Sequence, residues 1–88
     1  MKVQFLQSFS KDIDKIHLKS VKASLKRLIE LIESAETLSN IPNTKKLKGH
    51  KTAYRTRVGD HRLGFYFENE TIILARFVDR KDIYKLFP

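Results

Sequence analysis

Tyr54-Arg55-Thr56-Arg57-Val58-Gly59-Asp60-His61-Arg62-Leu63-Gly64-Phe65-Tyr66-Phe67 is the stretch that decides the fold. Side chains alternate on both sides of Gly59-Asp60, a pair suited to a two-residue hairpin turn. That loop length sets Val58 opposite His61, Arg57 opposite Arg62, Thr56 opposite Leu63 and Arg55 opposite Gly64. Tyr54, Thr56, Val58, Leu63, Phe65 and Phe67 then share a core face, while Arg55, Arg57, Arg62, Gly64 and Tyr66 share the other. Like charges directly opposed across a sheet destabilise it, by up to about 1 kcal/mol. Arg57 against Arg62 therefore reads as a cost accepted in order to bind an anion. A solvated face paired with distant carboxylates is the bland alternative, but Asp60 is the one acid in the segment. Gly64 leaves the sheet bare beside Arg55, with room for something flat.

Downstream, Glu68-Asn69-Glu70 is a second turn that permits a two- or a three-residue loop, and a slip of one residue would move Arg76 to the opposite face. Thr71 to Val78 is almost wholly apolar and reads as a central strand. Asp79 or Asp82 can cap a short helical turn holding Ile83, Tyr84, Leu86 and Phe87. Upstream, Ile41-Pro42-Asn43-Thr44 breaks the chain, and Lys45 to Lys51 forms a basic connector around Gly49. Leu18, Val21, Leu25, Leu28, Ile32 and Ala35 recur at helical spacing, predicting a helix over roughly 18–36. Glu30, Glu33 and Glu36 crowd its C-terminal end, where the dipole disfavours them, so packing must hold it. Ser10 reads as the N-cap of a first helix over about 10–17, with Asp12 near the positive end of the dipole and Ile13 and Ile16 inward. Val3 to Phe9 reads as a first strand. The expectation is one α+β domain over residues 1–88 in the order βααβββ, with an N-terminal helical hairpin on a small, mainly antiparallel sheet and a short helical tail.

Composition narrows the function. The chain has 88 residues and no cysteine, which excludes disulfides, thiolate nucleophiles and Cys-based metal sites. No apolar run approaches the ~20 residues of a membrane span, so a cytoplasmic location is expected. Eighteen Lys+Arg against ten Asp+Glu give +8. Residues 45–62 hold Lys45, Lys46, Lys48, Lys51, Arg55, Arg57 and Arg62 against Asp60 alone, a net +6. Charge so concentrated is a patch for a polyanion, most often nucleic acid. His17 reads as a surface residue or a helix cap, and His50 and His61 flank the patch. No spacing of His, Asp and Glu has metal-site form, and neither a hydrolase triad nor a phosphate-binding glycine loop is present, so no metal or cofactor is expected.

Leu47-Lys48-Gly49, then Tyr54 to Arg62, then Asp79-Arg80-Lys81-Asp82-Ile83-Tyr84 resembles the RelE/ParE superfamily of bacterial toxin–antitoxin toxins in order and spacing. The resemblance spans essentially the whole chain and is most specific over 47–84. It implies a toxin that cuts mRNA on the translating ribosome, or a same-fold ParE-like toxin acting on DNA gyrase without cutting RNA. An inactive nucleic-acid-binding relic is the third reading. The implied partners are a cognate acidic antitoxin, mRNA and the ribosome, with no membrane and with the toxin a monomer alone or a hetero-oligomer with its antitoxin.

For the nuclease reading, the resemblance places Arg62 at the scissile phosphate and Arg55 and Arg57 on the RNA backbone. Arg80 would stabilise charge or donate a proton, and Tyr84 would stack. Lys45, Lys46, Lys48, Lys51 and Tyr66 are further candidate RNA contacts, and His50 or Lys51 is the candidate base. Relatives often carry lysines where Arg55 and Arg57 stand, and many have His where this chain has Asp79. Both departures bear on proton transfer. The reaction needs a neighbouring 2′-hydroxyl held in line, a base, charge stabilisation and an acid. Arginine is a weak base but a strong bidentate phosphate clamp.

Overall fold

The computed structural model describes all 88 residues: strand β1 (Lys2–Phe5), helices α1 (Gln7–Asp14) and α2 (Lys19–Ser34), strands β2 (Thr44–Lys46), β3 (Ala53–Val58), β4 (His61–Glu68) and β5 (Thr71–Asp79), and a terminal turn of helix, α3 (Ile83–Leu86). The five strands lie in the order β1-β5-β4-β3-β2, with β1 parallel to β5 and every other pair antiparallel. No helix is long and apolar enough to cross a membrane.

The first hairpin has the expected register throughout: Val58 faces His61, Arg57 faces Arg62, Thr56 faces Leu63 and Arg55 faces Gly64. Gly59 takes φ +58°, the left-handed value that a tight turn needs. Thr56, Leu63 and Phe65 are buried under the helices with Phe9, Leu25 and Ile32. Tyr54 stacks on its cross-strand partner Phe65 at 5.5 Å between ring centres.

Three expectations change. The basic connector contains a strand: Thr44–Lys46 pairs with Tyr54–Thr56, and the Thr44 and Thr56 hydroxyls share a hydrogen bond of 2.7 Å. The order is therefore β, α, α, then four strands, one strand more than predicted. The first strand stops at Phe5, and α1 begins at Gln7 with Leu6, not Ser10, at its N-cap. Phe9, Ile13 and Ile16 have helical spacing and pack in one core, which draws Phe9 out of the strand and into the helix. Asp12 does not serve the dipole; it is 4% exposed and bonded to Arg76.

The second hairpin closes through a two-residue loop, Asn69-Glu70, both at positive φ, with Glu68 opposite Thr71. Continued unbroken, that register would set Arg76 opposite Leu63 in the core. A bulge intervenes: Phe65 faces Leu74 but Gly64 faces Arg76, leaving Ala75 as the extra residue. Phe77 thereby enters the core opposite Leu63, and Arg76 is released from it.

Because β1 ends at Phe5, the edge of β5 beyond Leu74 needs other partners. The α1 segment supplies them. Leu6 N–H donates to Leu74 O at 2.9 Å and Ser8 Oγ donates to Ala75 O at 2.6 Å. The Asp12 carboxylate accepts Phe77 N–H at 2.9 Å and Arg76 Nε and Nη2 at 2.8 and 2.9 Å. That bond raises the Arg76 pKa above its ordinary value. At the far end of α2 the Met1 ammonium donates to Ile32, Glu33 and Ala35 carbonyls, placing positive charge where the three glutamates had looked unfavourable.

In the tail, Ile83 and Phe87 are buried, whereas Tyr84 and Leu86 are exposed rather than packed. The Asp79 carboxylate accepts Lys81 N–H at 2.9 Å. This bond, helped by the charges of Lys81, His61 and Arg80, holds its pKa below the ordinary carboxylate range. The turn is therefore firmest above that range and loosens as pH falls through the lowered value.

Asp12→Ala should destabilise the fold by about 3 kcal/mol, because it leaves Phe77 N–H unpaired and the Arg76 guanidinium uncompensated. Urea unfolding measures this directly, and a loss below about 1 kcal/mol would show that the clasp is dispensable.

Candidate active site

Alternation along three adjacent strands builds the site. Lys45 of β2 stands opposite Arg55 of β3, and Arg57 of β3 stands opposite Arg62 of β4. With Asn43, Thr44 and Tyr84 these four cations line an open cleft of about 470 Å³. No acid lines it. The one ion pair in the chain is Arg76–Asp12, so none of the four cations has a carboxylate partner. Arg57 and Arg62, opposed across the hairpin, therefore have no carboxylate within the chain to offset their like charge.

Arg62 is held in place. Its Nη1 donates to the turn carbonyls of Gly59 at 2.9 Å and His61 at 2.8 Å. Both bonds use one nitrogen, leaving Nε and Nη2 donors for an incoming anion. Tyr84 forms the wall contributed by the tail. It is 74% exposed, and the Arg55 guanidinium lies over its ring, 4.6 Å from the centroid. Such a contact is worth about 0.5–1 kcal/mol at an exposed site. A tyrosine over a row of arginines offers a stacking surface beside anion donors, the combination that single-stranded nucleic acid needs.

The structure brings Arg55, Arg57, Arg62, Lys45 and Tyr84 together. Other candidates lie apart. Lys46, Lys48, His50 and Lys51 line a separate, shallow depression on the β2–β3 loop. His50 and Lys51, the candidate bases, are thus outside the cleft. Arg80 is exposed and does not line it; its backbone N–H donates to Asp60 O at 2.9 Å, which ties the end of β5 to the first turn. Tyr66 shares the face of Gly64 but leans on Phe87, with ring centres 5.1 Å apart. The bare patch expected at Gly64 is filled by Phe87, whose ring carbons lie 2.6 Å from where a Cβ would stand. Asn43 and Thr44 are the cleft residues that sequence reasoning missed. Asn43 has φ +58° and sits just before β2, and its place after proline was the available signal.

Comparison with known proteins gives the family of this fold. Residues 3–84 match the family described as the ParE toxin of the type II toxin–antitoxin system, parDE. Over 89 aligned residues, covering all of both chains, the sequence is 36% identical to Toxin RelE3 of Methanocaldococcus jannaschii. The fold is similar to that in the RelB–RelE antitoxin–toxin complex of Methanococcus jannaschii, with a TM-score of 0.82, 33% identity, and 97% of this chain and 99% of that one covered. The archaeal RelE–RelB complex of Pyrococcus horikoshii OT3 has the same fold at a TM-score of 0.73 and 18% identity, over 90% and 93% of the two chains. Matched across nearly its whole length by the family and by a full-length relative, this chain belongs to the RelE/ParE superfamily of type II toxin–antitoxin toxins.

Proposed function

We propose that this toxin is an endoribonuclease that cuts mRNA on the translating ribosome, using the cation-lined cleft and its tyrosine wall. The observation that carries the reading is the row of Lys45, Arg55, Arg57 and Arg62 on one face of three strands, without a carboxylate partner and beneath an exposed Tyr84. Four unpaired cations so arranged are stabilised by a polyanion, and a phosphodiester between stacked bases supplies one.

In the proposed reaction the 2′-oxygen of one nucleotide attacks the adjacent phosphorus, forming an O2′–P bond as the P–O5′ bond breaks. The products are a 2′,3′-cyclic phosphate and a 5′-hydroxyl end. Arg62 meets the non-bridging oxygens through the donors that its turn bonds leave free, and Arg57 opposes it across the hairpin. Charge in the transition state is then met by donors already in place. Arg55 and Lys45 hold the flanking backbone, and Tyr84 stacks on a base and so orients the sugar. The 2′-hydroxyl proton passes to solvent, and within the cleft the Lys45 ammonium or the Tyr84 hydroxyl gives a proton to the departing O5′. Arg80, outside the cleft, takes a part only if RNA extends across the first turn.

The RelB–RelE complex of the archaeal relative supports a cognate antitoxin here as well. An acidic segment is the chemistry that would neutralise this face. The family description names a ParE toxin, which favours a second reading in which the target is DNA gyrase and RNA is left intact.

Arg62→Ala should lower ribosome-dependent mRNA cleavage by roughly 10²-fold or more. Stability should change by less than about 1 kcal/mol, since the two turn bonds lost, one exposed and one half-buried, are offset by relief of Arg57–Arg62 repulsion. Arg62→Lys should recover part of the rate, because an ammonium cannot reproduce the fork. Cleavage and thermal unfolding on the same preparations check this; a folded Ala variant with wild-type cleavage removes Arg62 from the mechanism. Binding to single-stranded RNA should weaken with salt with a log–log slope of about −3, one phosphate for each cleft cation. A slope close to zero in a titration from low to moderate salt would show that the patch does not engage phosphates.

A further inference from the structure

The sheet face beneath the tail is made of small residues. Ala53 of β3, Gly64 of β4 and Ala75 of β5 lie on neighbouring strands, and Ala53 and Ala75 are buried with Ile83 and Phe87 in one cluster. The fit at Gly64 is tight, for an added Cβ would stand 2.6 Å from Phe87 Cγ and Cδ2. The bulge that makes Ala75 the extra residue of β5 also points it into this seat. Tyr84 sits between the two anchors, one residue after Ile83 and three before Phe87, and Phe87 N–H donates to Ile83 O at 2.9 Å. A side chain as exposed as Tyr84 is not fixed by its own burial. Its place over Arg55 is inherited from the buried residues on either side.

We propose that Phe87, seated on Gly64, is a positioning residue that holds Tyr84 over Arg55, so that the stacking wall of the cleft is set by how the tail packs on the sheet. The effect on cleavage rests on the nuclease reading; the effect on geometry does not. In the full-length chain, ring current from Tyr84 displaces the Arg55 δ-proton resonances, which report the contact without any substrate. Phe87→Ala should return those resonances towards their free-arginine positions while the Thr56 and Leu63 amides stay in place. It should lower kcat for mRNA cleavage by about tenfold or more, since a displacement near 1 Å can cost up to about 10²-fold, with KM changed by only about threefold. Phe87→Leu keeps an apolar anchor and should retain most of both signals. Gly64→Ala removes the seat without deleting a buried ring, so it reports even if Phe87→Ala fails to fold. It should reproduce both losses, and Gly64→Ala with Phe87→Ala should be no worse than Phe87→Ala alone, because the clash needs both groups. Arg55 resonances unmoved in both single variants, or moved with cleavage at the wild-type rate, overturn the proposal. A wild-type chain that cuts no RNA overturns the nuclease reading instead, with the Arg55 resonances still deciding the positioning.

Discussion

A two-residue turn at Gly59-Asp60 is the constraint on which the rest of the molecule depends. Side chains in a strand alternate with period two, so one more or one fewer loop residue would exchange the faces of β4 relative to β3. With this loop, Thr56, Leu63 and Phe65 are buried beneath the helices and Arg55, Arg57 and Arg62 gather on the open side. Core and cleft are two faces of one register. The cost of opposing Arg57 and Arg62 cannot be removed by slipping the hairpin one residue, because that slip would send arginines into the core.

One further parity correction completes the arrangement. At Ala75 the bulge keeps Arg76 out of the core and brings Phe77 in, and Arg76 then finds Asp12 on α1. That carboxylate also accepts Phe77 N–H and so, with Leu6 N–H and Ser8 Oγ, closes the sheet edge that β1 leaves open. The same bulge turns Ala75 towards the tail, where with Ala53 and Gly64 it receives Phe87 and Ile83. Irregularity in one strand thus serves the helices on one side and the tail on the other.

The sequence showed most clearly what depends on local pattern. The first hairpin and its register, the long helix and the apolar β5 follow from alternation and helical spacing, and their residues lie where the pattern puts them. The edge strand Thr44–Lys46 was hidden because three residues with two exposed lysines carry no apolar period; β2 exists through pairing with β3. The boundary between β1 and α1 was misplaced because Phe9 fits either an alternating or a helical reading, and only the core decides. The Asp12–Arg76 pair spans 64 residues and has no local signature. In the candidate site, Arg55, Arg57 and Arg62 were legible from alternation, and Lys45 from charge alone. Tyr84 came from the resemblance, and Arg80, grouped with it there, does not line the cleft. Gly64 was rightly read as a bare place, but the flat group lying there is the chain's own Phe87.

Nuclease chemistry in a cation-lined cleft leaves a mark that no other reading of this fold produces. The most direct measurement is the chemistry of the ends left when the purified toxin acts on ribosome-bound mRNA, in EDTA sufficient to strip free divalent ions and with ribosomes stabilised by polyamine. Cleavage by 2′-hydroxyl attack predicts fragments ending in 2′,3′-cyclic phosphate, followed by 5′-hydroxyl ends that polynucleotide kinase labels without prior phosphatase. Fragments with 5′-phosphate ends, or intact mRNA alongside inhibited DNA gyrase, would contradict it.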